Sequence, residues 1–84
     1  MFPGYVTTFK DEEGFVHLYF YPGVDNEDNL FYRDLNLSNC KIPYEKIENE
    51  DNSKEYIFKH KNIAKIVCKL VDNKGKMHIK ELII

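Results

Sequence analysis

Two four-residue runs constrain this chain more than any other feature. Asp11-Glu12-Glu13-Gly14 and Asp72-Asn73-Lys74-Gly75 share the spacing D-x-x-G, in which an aspartate opens a type I turn and a glycine takes the left-handed position that closes it. Extended-favouring segments adjoin both runs: Tyr5 to Lys10 and Phe15 to Tyr21 flank the first, and Met77 to Ile83 follows the second. Their β-branched and aromatic side chains suit a pleated, half-buried surface, so each run predicts a β-hairpin. With Asp11 facing Phe15, alternation puts Val6, Thr8, Val16, Leu18 and Phe20 on one face. Tyr5, Thr7, Phe9, His17, Tyr19 and Tyr21 fall on the other. The first face is mainly aliphatic and the second is aromatic.

Pro22-Gly23 ends the second strand, and the polar run from Asp25 to Asn29 reads as an exposed loop. Leu30 to Leu37 predicts a third strand, with Arg33 and Asp34 interrupting its pattern, and Tyr56 to His60 predicts another. Ile42 to Ser53 has two readings: a short helix opened by Pro43, or a strand running into the acidic turn Glu48 to Asn52. Residues 63–73 also have two. Ile63, Ile66, Val67, Leu70 and Val71 fit one helical face with Asn62 as N-cap and Gly75 as stop. Ala64, Ile66, Cys68 and Leu70 alternate with Lys65, Val67, Lys69 and Val71, and the β-branched content favours the strand. The expected fold is therefore mostly β: an antiparallel meander of five or six short strands, curled into a small barrel or packed on one short helix. The alternative is α+β, with a helix at 63–73 packed on an antiparallel sheet.

A chain of 84 residues has room for one core, so residues 1–84 are expected to form a single globular domain. With 43% apolar residues, six Tyr and six Phe, that core needs no metal or disulfide staple. No run approaches the roughly 20 apolar residues that span a bilayer, and Lys10 to Glu13 interrupt the start where a signal peptide needs an apolar stretch. A cytoplasmic location without membrane contact is the expectation. Cys40 and Cys68 lack C-x-x-C spacing and read as buried thiols.

A nucleophile beside a base, paired carboxylates in a cleft and a phosphate-binding glycine loop are all missing at recognisable spacing. The glycines at 14, 23 and 75 each have a turn explanation, and no enzyme is expected. His17, His60 and His78 could meet Cys68 around a metal only if the register of the last hairpin brings them together. Isolated strand histidines are more often partly buried polar residues, so neither a metal nor a cofactor is expected.

Charge is uneven along the chain: residues 1–53 hold 4 basic and 11 acidic groups, and residues 54–84 hold 8 basic and 3 acidic groups. Acidic clusters at Asp11 to Glu13, Asp25 to Asp28 and Glu48 to Asp51 all fall at expected turns. Beside a tyrosine-rich hairpin they suggest a partner-binding face of Glu12, Glu13, Tyr19, Tyr21, Asp25, Glu27, Asp28 and Tyr32, since tyrosine is favoured at interfaces. The leading expectation is a non-enzymatic protein-interaction domain, a small acidic inhibitor or adaptor that binds a basic surface of a partner protein. The competing one is a small barrel binding single-stranded nucleic acid through Phe15, His17, Tyr19 and Tyr21 with Lys65, Lys69, Lys74 and Lys80.

Overall fold

Every extended run becomes a strand in the structure, a computed structural model that describes residues 3–24, 29–38 and 40–84. The strands are β1 (Gly4–Lys10), β2 (Val16–Pro22), β3 (Tyr32–Asn36), β4 (Tyr44–Glu48), β5 (Lys54–Phe58), β6 (Lys65–Asp72) and β7 (Met77–Ile83). They form two antiparallel sheets, one in the order β1-β2-β5-β4 and one in the order β3-β6-β7. The strands number seven because 42–53 resolves as β4 and its turn into β5. Neither helix considered from the sequence forms, and the sheets do not close into a barrel. Along β6, Ile66, Cys68 and Leu70 are buried between less buried neighbours, a period of two that a helical face could not produce. Among the described residues no helix is long and apolar enough to cross a membrane.

The first hairpin has the register its turn dictates, with Val6 opposite Phe20, Thr8 opposite Leu18 and Phe9 opposite His17. Val16, Leu18 and Phe20 of β2 join Tyr56 and Phe58 of β5 on the inner face of the four-stranded sheet. Leu35, Ile66, Cys68 and Leu70 meet them from the other sheet. Each such side chain taken fully from water contributes about 1.5–3 kcal/mol, so the inner faces hold the sandwich together. Arg33 breaks the alternation of β3 because it is a bulge: Tyr32 lies opposite Asp72, but Asp34 lies opposite Val71.

One corner stitches the sheets together through backbone. Tyr32 N–H donates to the Pro3 carbonyl at 2.8 Å, and Gly23 N–H donates to the Tyr32 carbonyl at 2.8 Å. A Cβ at Gly23 would lie 2.6 Å from the Pro3 carbonyl oxygen and 2.7 Å from Phe31 Cβ. Close chain crossing, rather than a turn, requires glycine there.

Three hairpins share one turn geometry, one more than the D-x-x-G spacing reveals. Asp11 N–H donates to the Phe15 carbonyl and Gly14 N–H to the Asp11 carbonyl, and Asp72, Gly75 and Lys76 repeat this arrangement. Between β4 and β5, Asn49, Asn52 and Ser53 take the same roles, with Asn52 at φ 67° where the other turns have glycine. In the two aspartate turns Oδ1 accepts two backbone N–H groups at 2.9 Å, from Glu13 and Phe15 or from Lys74 and Lys76. The other oxygen of each carboxylate faces a histidine six residues later: Asp11 faces His17 at 2.8 Å and Asp72 faces His78 at 2.7 Å.

Candidate interaction face

Hairpin register turns Phe20 into the core but sends Tyr5 and Phe9 of β1 and His17, Tyr19 and Tyr21 of β2 away from it, and on the outer face these five lean on one another. Tyr5 stacks on Tyr21 with ring centroids 4.7 Å apart, and Tyr21 lies 6.3 Å from Tyr19. Tyr19 is 5.6 Å from Phe9, which is 4.6 Å from His17. Interplanar angles of 13° to 25° make this one ladder of five nearly parallel rings. Thr7, opposite Tyr19, is small enough for Phe9 to reach its diagonal neighbour. Tyr5 and Phe9 remain nearly half exposed, at 46% and 47%.

β5 adds carboxylate to the ladder. Tyr19 lies opposite Glu55, whose Oε2 accepts from the Tyr19 hydroxyl at 2.8 Å and faces His17 Nδ1 at 2.7 Å. The second ring nitrogen of His17 faces Asp11, so both nitrogens can donate only when the imidazole is a cation. Burial opposes that charge, but the bonds to Glu55 and Asp11 outweigh it and raise the pKa of His17 above its ordinary value. The same pairing with His17, aided by the Phe15 and Glu13 amides, lowers the pKa of Asp11. Burial, then the bond to Glu55, raises that of Tyr19.

Beyond His17 the face dips into a shallow depression of about 470 Å³ lined by Asp11, Glu12, Glu13, Phe15, His17, Ile57 and Lys59. The ammonium groups of Lys59 and Lys61 already sit 5.9 and 5.8 Å from the Phe15 ring centre. A second cleft of about 470 Å³ lies between β3 and the β4–β5 turn. Its lining sets Arg33 and Lys54 against Asp34 and Glu48, and Lys54 is paired with Asp34, so the formal charges balance.

Of the residues expected to form a binding face, Glu12, Glu13, Tyr19 and Tyr21 share one end-to-end strip of this sheet. Tyr32 stands apart: it packs against the core from the other sheet, edge-on to His78. Asp25, Glu27 and Asp28 lie outside the described residues. Tyr5 and Phe9 belong to the strip and follow from the hairpin register. Glu55 belongs too, but only the long-range pairing of β2 with β5 brings it there. Lys65, Lys69, Lys74 and Lys80 all lie in the β6–β7 hairpin of the opposite sheet, separated from the ladder by the core. Cys68 and His78 do share the inner side of that hairpin, but His78 is held by Asp72. Among the described residues no group of three or more histidine, cysteine or acidic side chains could hold a metal.

No family model, no curated protein and no solved structure matches this chain.

Proposed function

We propose that this chain is a non-enzymatic protein-interaction domain, a small inhibitor or adaptor whose four-stranded sheet takes a basic surface of a partner protein on its outer face. The aromatic ladder flanked by carboxylates carries this reading. Tyrosine and phenylalanine supply rigid contact area, and an unpaired carboxylate at the rim attracts a Lys or Arg side chain. Charge along the chain sorts by sheet: the β1–β2 and β4–β5 hairpins hold 8 acids against 3 lysines, and the β6–β7 hairpin holds 5 lysines against 2 acids. The two lysines over Phe15 mark a place where an ammonium group rests on an aromatic ring beside acids.

Two physical points favour protein contact over the alternatives. The rings lie against each other, so they offer edges and hydroxyls rather than open faces to a nucleic-acid base, and the lysines needed for phosphate are on the other sheet. Both ring nitrogens of His17 are already engaged by carboxylates, Nδ1 by Glu55 and Nε2 by Asp11, which leaves neither open to a substrate.

Fluorescence anisotropy with a labelled Lys/Arg-rich peptide tests this. The expected result is binding that weakens as salt rises and falls about tenfold or more in Glu12→Lys/Glu13→Lys, since each reversed rim charge turns attraction into repulsion. Equal binding by the variant would remove the acidic face from consideration. Salt-sensitive binding of an oligonucleotide in place of the peptide would favour the nucleic-acid reading.

A further inference from the structure

Both turn aspartates stand in front of a histidine, but the two pairs differ in reach. The Asp72 side chain is 1% exposed, so its contact with His78 is closed to an incoming group. The Asp11 side chain is 28% exposed and lines the depression at the end of the aromatic ladder. His17 also spans two carboxylates: its Nε2 lies 2.8 Å from Asp11 Oδ2 and its Nδ1 lies 2.7 Å from Glu55 Oε2.

We propose that His17 is a proton switch for the interaction face: while protonated it covers both Asp11 and Glu55, and once neutral it yields Asp11 to a Lys or Arg side chain of the partner. The proposal rests on the reading that this face takes a basic surface, and it adds how that binding is regulated. Counting hydrogens carries it. An imidazolium has an N–H for each carboxylate, whereas a neutral imidazole has only one to give. Loss of the proton turns a nitrogen lone pair toward a carboxylate oxygen, acceptor against acceptor.

The surroundings decide which carboxylate is released. Glu55 is the more enclosed, with its side chain 15% exposed, and its Oε2 also accepts from the Tyr19 hydroxyl, so it retains the remaining N–H. Asp11 keeps its place without His17, because its Oδ1 stays fastened by the Glu13 and Phe15 amides. Its Oδ2 alone loses a donor. A guanidinium or ammonium group entering the depression supplies that donor, and the single positive charge that left with the proton is replaced by one from the partner.

The neighbouring charges fit this exchange. Glu12 and Glu13 of the turn line the same depression and attract the incoming cation. On the β5 side Lys59 also lines it, but its ammonium pairs with Glu45 of β4 at 3.4 Å and lies over the Phe15 ring, as does that of Lys61. From β1, Phe9 stacks on the imidazole and brings no charge.

Fluorescence anisotropy with an end-capped, labelled Arg-rich peptide between pH 6 and 9 tests this, since arginine keeps its charge throughout. His17 titrates above its ordinary value of 6.5, so its change of state falls within that range. The wild type is expected to bind about tenfold more tightly at the alkaline end. By reciprocity, bound peptide should lower the pKa of His17, followed by NMR of its imidazole, by about one unit. His17→Gln should bind with nearly the same affinity across the range, and His78→Gln should keep the wild-type slope. Circular dichroism at each pH checks that every variant is folded.

Peptide that binds the wild type equally at both ends of the range, with the His17 pKa unmoved, would overturn the switch and leave the interaction face standing. A slope that persists in His17→Gln would assign it to another group and overturn the switch as well. No binding at any pH would overturn the two readings together.

Discussion

At the scale of single residues, His17 and the two turn aspartates give opposite pH dependences. His17 gains its carboxylate partners on folding and its pKa rises above 6.5. Its stabilisation is therefore fully present below the unfolded value and is lost as pH rises through the folded one. Asp11 and Asp72 are held below 3.8, chiefly by their histidines, so their contribution is present above that value and is lost as pH falls through the lowered ones. Thermal unfolding across pH should give a maximum between about 4 and 6.5, bounded by those ordinary values. His17→Gln should flatten the decline on the alkaline side and leave an acid limb carried by Asp72, Asp34 and Asp51, whose pKa values are also lowered. An unchanged alkaline limb would mean that His17 is not the group responsible. The thiols differ in the same residue-by-residue way. Burial pushes Cys68 up to about 11, whereas Cys40 is only half buried. Titration with a thiol reagent at pH 8 should modify Cys40 in the native protein and Cys68 only after denaturant is added.

At the scale of elements, one turn design used three times predicts which substitutions matter. Asn52 sits at φ 67° in the position where the other two turns use glycine. Asn52→Gly removes the left-handed penalty and should raise stability by about 0.5–1 kcal/mol, a melting shift of several degrees. Gly75 is at φ 85°, and a Cβ there would touch nothing within 4 Å. Gly75→Ala isolates the conformational cost, about 1–2 kcal/mol by chemical denaturation. These turns also explain what sequence could reveal. Asp and Gly at fixed spacing identified the first hairpin with its register, and hence the aromatic ladder, and favoured the second while a helix at 63–73 and the register there stayed open. The third was hidden because Asn49 and Asn52 lack that signature, which left 42–53 open to a helical reading. The histidine six residues after each turn aspartate was visible as spacing, but its meaning needed the turn geometry. Glu55 could not be placed, because its position depends on a pairing 38 residues from His17.

At the scale of the whole molecule, the charge pattern along the chain becomes a pattern in space because most of the first 58 residues build one sheet and the last 20 build most of the other. Local periodicity gave the strands but not their division between sheets. That division follows from burying Val16, Leu18 and Phe20 against Ile66, Cys68 and Leu70. Connectivity also separates fast from slow events in folding. The β1–β2, β4–β5 and β6–β7 pairings each close over a turn, whereas β2–β5 and β3–β6 join segments distant along the chain. Hairpins form in microseconds, and long-range pairings must wait for a diffusive search through many chain conformations. The barrier therefore falls at the encounter of hairpins that are already closed. A turn substitution such as Gly75→Ala acts before that barrier, so stopped-flow mixing should find refolding slowed and the unfolding rate nearly unchanged.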